Sequence, residues 1–114
     1  MITLYGISNC DTIKKARNWL QSNNLEYEFH DYKKLGCDQK LGKRFLKEFG
    51  LESTINRRGT TWRKLPDEIK QELNSEKALE LMTDNPSLIK RPILEGPGSW
   101  LIGFDSDAWA DALL

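Results

Sequence analysis

Cys10 stands where a short alternating run, Ile2-Thr3-Leu4-Tyr5-Gly6, gives way through Ile7-Ser8-Asn9 to an amphipathic stretch beginning Asp11-Thr12-Ile13-Lys14-Lys15. The first run has the two-residue period of a strand and the second the period of a helix, so the thiol falls at a helix N-terminus. Amides of a first helical turn have no intrahelical partner and the helix dipole is positive there, which favours a thiolate. A thiol with an unperturbed pKa of about 8.5 is mostly protonated at neutral pH, and lowering it to about 6 takes roughly 3.4 kcal/mol. A helix terminus supplies about 0.3 to 2 kcal/mol, and the neighbouring Asp11 works against ionisation. Cations must make up the difference. Lys14 and Lys15 are nearby in sequence, and Arg58 and Arg91 are candidates from elsewhere in the fold.

Ile13 occupies the position where a Cys-x-x-Cys motif has its second thiol, so a local dithiol is excluded. Cys37 is the one other thiol that could resolve an oxidised Cys10, although a lone loop cysteine has no need of such a role. His30 lies within a strand pattern and reads as a structural or surface residue rather than a base. One histidine and two distant cysteines make no metal set, and none is expected.

The elements that must position Cys10 follow from the pattern. Strand 2–6 leads into a helix over 11–23, with Ile13, Ala16 and Leu20 on one face and Trp19 at its margin. Residues 26–32 form a second strand, parallel to the first. Lys33 to Gly36 reads as a polar connection. Asp38 caps a helix carrying Leu41, Phe45, Leu46 and Phe49, which Gly50 ends. Residues 53–65 show no period and read as loop. Pro66 opens one small helix and Ser75 caps another, which Asn85-Pro86 stops. Pro92 starts a short strand, the run 95–99 turns it back into Trp100-Leu101-Ile102, and a last helix begins near Asp105 or Ser106. The tryptophans, with Phe45 or Phe49, are read as core.

The chain has 114 residues, enough for one core, and residues 1–114 are expected to form a single domain. Seventeen basic and seventeen acidic side chains cancel, which leaves no electrostatic footprint for nucleic acid. No apolar run spans a membrane and Met1 leads directly into a strand without a leader pattern, so a cytoplasmic, reducing setting is expected.

Three segments, Tyr5-Gly6-Ile7-Ser8-Asn9-Cys10-Asp11-Thr12, Arg58-Gly59-Thr60-Thr61-Trp62-Arg63-Lys64-Leu65 and Ile89-Lys90-Arg91-Pro92-Ile93, together resemble the YffB-type branch of the arsenate reductase/Spx family over essentially the whole chain. The resemblance implies an α/β fold, a thioredoxin-like mixed sheet in βαβ…ββα order with an inserted helical subdomain at roughly 38–88. It implies Cys10 as catalytic thiol with Arg58 and Arg91, and Asn9, Asp11, Thr12, Arg57 and Pro92 as substrate-binding residues. Pro92 would take the cis-proline position facing the thiol.

The resemblance further implies a monothiol reductase that binds no resident cofactor and uses glutathione as co-substrate. Arsenate reduction with glutathione and glutaredoxin is an alternative within the same family. The enzymes that perform it use a third arginine after the hairpin, where this chain has Gly103-Phe104-Asp105-Ser106. A third reading is a Spx-like module that binds RNA polymerase. It ranks lower because the Cys-x-x-Cys of switching regulators is missing. A monomer is expected.

Overall fold

In the computed structural model, which describes residues 1–114, β1 (Ile2–Gly6) is the strand from which the others are built outward. It pairs in parallel with β2 (Tyr27–Asp31) and antiparallel with β3 (Ile93–Gly96), which in turn pairs antiparallel with β4 (Ser99–Ile102). The sheet order is β2-β1-β3-β4, the mixed sheet of the thioredoxin-like fold. Leu4 faces Phe29 on one side and Leu94 on the other, so the register puts apolar residues of three strands in one row.

The chain forms two compact units, Met1–Leu35 with Arg91–Leu114, and Gly36–Lys90. The first contains the sheet, α1 (Asp11–Ser22), the four-residue α2 (Tyr32–Leu35) and the C-terminal helix. Ile2, Leu4, Ala16, Leu20, Leu94 and Trp109 form its core, with Trp19 and Phe104 packed edge-on against Trp109 at centroid distances of 5.8 and 4.9 Å. The lysine-rich connection predicted after β2 is α2: the buried Tyr32 begins it, and Asp31 Oδ1 accepts the Lys33 amide at 3.0 Å, closing the turn.

The second unit holds α3 (Gln39–Thr54), α4 (Thr60–Arg63), α5 (Asp67–Gln71), α6 (Ser75–Asp84) and a 3-10 turn at Pro86–Leu88. Asp38 caps α3 by accepting the Leu41 amide at 2.8 Å. Gly50, at φ +80°, breaks the helix as its sequence position predicts, but one more turn follows to Thr54. The buried Thr54 hydroxyl donates to the Gly50 carbonyl at 2.6 Å and supports that extra turn. The predicted loop 53–65 is therefore part helix, and α4 within it is a single short turn. Asn74 rather than Ser75 caps α6, accepting the Lys77 amide at 2.8 Å. An antiparallel bridge between Ile55 and Ile89 brings the ends of this unit together. Of the four tryptophans only Trp109 is fully buried; Trp62 is half-buried, with the Arg57 and Lys70 cations 5.3 and 5.7 Å from its ring centroid. No helix is long and apolar enough to cross a membrane.

Candidate active site

Cys10 is the N-cap residue of α1, with extended backbone (φ −97°, ψ 130°) before the helical angles begin. Its own amide donates to the Ile7 carbonyl at 3.3 Å and its carbonyl accepts the Lys14 amide at 3.0 Å. These bonds fix the loop on one side and start the helix on the other. The close seat of α1 depends on Gly6: a Cβ there would collide with Ile13 Cδ1 and stand 2.9 Å from Ile13 Cγ1. Gly6 thus sets how near α1, and the thiol at its tip, can approach β1.

The thiol is half-buried, which by itself raises its pKa, since burial penalises the charged form. That effect is outweighed by the Ile13 amide, a hydrogen bond from the Arg91 side chain, the Thr12 amide and the positive charge of Arg91, so the net shift is downward. The sulfur makes no cap hydrogen bond of good geometry. The Ile13 and Thr12 amides therefore act on it as the positive ends of nearby dipoles, an electrostatic effect that does not need ideal alignment.

Arg91 is held through its bond to Pro92. The Arg91–Pro92 bond is cis, Pro92 is buried, and its carbonyl accepts the Gly103 amide at 2.8 Å before the chain enters β3. Gly103, at φ +74°, also offers its carbonyl to Trp109 Nε1 at 3.0 Å. Asp105 caps α7 (Ser106–Leu113) by accepting the Asp107 and Ala108 amides. The segment that has no arginine thus anchors the Arg91–Pro92 turn and starts the last helix.

Among the other predicted site residues, Asn9 and Asp11 are exposed and Thr12 is half-buried beside the thiol in α1. Lys14 and Lys15 are exposed and have no part in lowering the Cys10 pKa. Arg57 and Arg58 belong to the second unit, where with Glu52, Ile55, Asn56 and Lys90 they line a cavity of about 310 Å³. Arg57 is engaged there, 2.9 Å from Glu52 Oε1 and over the Trp62 ring. The Arg58 amide is tied to Asn56 Oδ1 at 3.2 Å.

Cys37 is buried, 3% exposed, and burial with the adjacent Asp38 charge pushes its thiol up to about 12. It belongs to the second unit, whereas Cys10 belongs to the first. His30 packs tilted against Tyr5 and edge-on against Tyr32, at 5.0 and 5.7 Å between centroids. No group of three His, Cys, Asp or Glu side chains is placed to hold a metal ion. Among the first-turn amides expected to favour the thiolate, the Ile13 amide contributes most. An N-cap at residue 10 makes residue 13 the third helical position, whose N–H points back at the cap side chain.

Residues 5–112 match the model of the ArsC family. The solved structure named YFFB (PA3664) protein is 49% identical, superposes with a TM-score of 0.95, and is covered completely by this chain, as this chain is by it. An arsenate reductase (ArsC) related protein from Brucella melitensis is 47% identical, with a TM-score of 0.78 over 98% of this chain and 92% of its own. The global transcriptional regulator Spx of Streptococcus agalactiae is 33% identical over 109 residues, 94% of this chain and 79% of the regulator.

Proposed function

The chain belongs to the ArsC family, and on that premise we propose that it is a thiol-dependent reductase that works with one cysteine and takes its electrons from glutathione. The observation that carries this reading is the Cys10 thiol, whose pKa is lowered by the Ile13 amide and Arg91 against the opposing effect of burial. Ile13 at the place of a second thiol, and the high pKa of Cys37, support a one-cysteine cycle.

In that cycle the Cys10 thiolate attacks the glutathionyl sulfur of a mixed disulfide. A new S–S bond forms on Cys10, the original S–S bond breaks, and the substrate sulfur leaves as a thiolate that takes a proton from water. The thiolate of a second glutathione then attacks the glutathionyl sulfur held on Cys10. Glutathione disulfide departs and the Cys10 thiolate is restored. Arg91 serves both steps, because a stabilised thiolate is a populated nucleophile in the first and a good leaving group in the second. Arg58, exposed on the second unit, is proposed as a further anion-binding residue.

The test is reduction of a glutathione mixed disulfide in a coupled assay with glutathione reductase, comparing wild type with Cys10→Ser. Turnover that needs both glutathione and Cys10 is expected. Equal rates for the two proteins, or no turnover, overturn the proposal. Arsenate with glutathione and glutaredoxin is run in parallel; turnover of arsenate alone would move the assignment to an oxyanion reductase.

A second reading is favoured by the identity to Spx across nearly the whole chain. It is a binding module for RNA polymerase, tested by pull-down with wild type and Cys10→Ser. Retention of the polymerase by both proteins, with no thiol turnover, would establish it over the first.

A further inference from the structure

Beside the Cys10 loop, the first unit contains a cavity of about 370 Å³ lined by Ser8, Arg17, Phe29, Asp31, Lys34 and Leu35. The reductase cycle of Cys10 and Arg91 uses none of these residues. Arg17 is fixed in place: its Nε donates to the Tyr27 hydroxyl at 2.9 Å and its guanidinium lies 4.6 Å over the Phe29 ring. Its two terminal nitrogens have no acceptor in the protein, which leaves the planar fork available to a carboxylate. Lys34 adds a second cation on an exposed stem. Asp31 adds the opposite charge. It is only 9% exposed, its carboxylate accepts the Lys33 amide at 3.0 Å, and it has no ion-pair partner. A carboxylate so enclosed calls for a positive group to offset its desolvation.

Two cations and one enclosed anion in one cavity match a small zwitterion with more carboxylates than ammonium groups. We propose that this cavity seats the backbone of glutathione, with a carboxylate on Arg17 and Lys34 and the γ-glutamyl ammonium on Asp31. The proposal rests on the reading of Cys10 as a glutathione-using thiol and adds where the tripeptide binds. The Ser8 edge of the cavity lies within reach of Cys10. Ser8 and Cys10 are two residues apart, so their Cα atoms are separated by at most about 7 Å, while a three-residue molecule extends roughly 10 Å. A glutathione with one arm in the cavity can place its sulfur at Cys10.

Binding is separated from chemistry by titrating S-methylglutathione, which cannot exchange, into the Cys10→Ser protein while following backbone amides. Shifts at residues 8, 17, 29, 31, 34 and 35 are expected, and Lys34→Gln, which disturbs no packing, should weaken them roughly tenfold in Kd, as should Arg17→Gln. In the reactive protein the same variants should lower kcat/KM for glutathione relative to that for 2-mercaptoethanol, which has no carboxylates. Shifts confined to residues 10–14 and 91–93, or an Lys34→Gln titration identical to the parent, overturn the cavity while leaving the reductase reading intact. Binding in the cavity with no glutathione turnover instead sustains the cavity and overturns the reductase reading.

Discussion

Gly6→Ala tests whether the seat of α1 on β1 sets the chemistry of the thiol. The backbone at Gly6 is in a strand, where alanine fits, and loss of glycine's freedom in the unfolded chain would by itself stabilise by about 0.4–1 kcal/mol. The added Cβ, however, overlaps Ile13 Cδ1 and lies 2.9 Å from Cγ1, and Ile13 is fully buried, so its side chain must shift against the core around it. Overpacking of this kind costs about 1–3 kcal/mol, so the clash wins and the net loss should be roughly 1–2 kcal/mol. For a chain of this size that lowers Tm by roughly 4–10 °C. Ile13→Val removes Cδ1 at a cost of about 0.5–1.5 kcal/mol alone. In the double variant it should return part of what Gly6→Ala loses, so the two costs sum to more than the measured total. Calorimetry on the four proteins reads this coupling directly. Cys10 rides on α1 whereas Arg91, which lowers its pKa through a hydrogen bond and its charge, does not, so pushing α1 outward should raise the pH midpoint of Cys10 alkylation. Additive costs within about 0.5 kcal/mol, or an unmoved alkylation midpoint, would refute the link from Gly6 through Ile13 to the thiol.

Arg91→Leu removes both a hydrogen bond and a charge from Cys10, and its alkylation midpoint should move to higher pH; an unchanged midpoint would remove Arg91 from the site. Cys37 ionises at about 12 when folded but near 9 when unfolded, so the unfolded state gives up its proton first and stability should fall as pH rises from about 9 towards 12. Cys37→Ala should flatten that alkaline limb in denaturant titrations and leave mixed-disulfide turnover in place. Asp38→Ala loses the cap on the Leu41 amide and should cost about 1 kcal/mol of stability, read by chemical denaturation.

The frame around the thiol was legible because it is local. The switch from period two to a helical period fixed β1 and α1, and Ile13, Ala16 and Leu20 are the buried face of α1 as their spacing implies. A turn within 95–99 and a helix start at Asp105 or Ser106 could likewise be read from residue type, although Glu95, Gly96 and Ser99 belong to the strands and only Pro97 and Gly98 lie between them. Other features depend on partners distant in sequence or on single polar contacts. The extra turn after Gly50 is held by a Thr54 hydroxyl, and the helix after β2 by a buried tyrosine and an aspartate, features that hydrophobic spacing does not register. At the site, charge estimates indicated that the helix end alone is insufficient and pointed to Arg91, which the structure brings to the sulfur. They also pointed to Lys14 and Lys15, which are solvent-facing and contribute nothing there. The cavity of Ser8, Arg17, Asp31 and Lys34 gave no sequence signal, since its walls come from a loop, two helices and an edge strand.

The most direct measurement is a pH titration of the Cys10 thiolate by its ultraviolet absorbance in the Cys37→Ala protein, where it is the one remaining thiol. A midpoint below the ordinary thiol value of about 8.5, returning to that value in denaturant, is the expected result. A native midpoint at or above about 8.5 would contradict the account, because the Ile13 amide and Arg91 would then have failed to overcome burial.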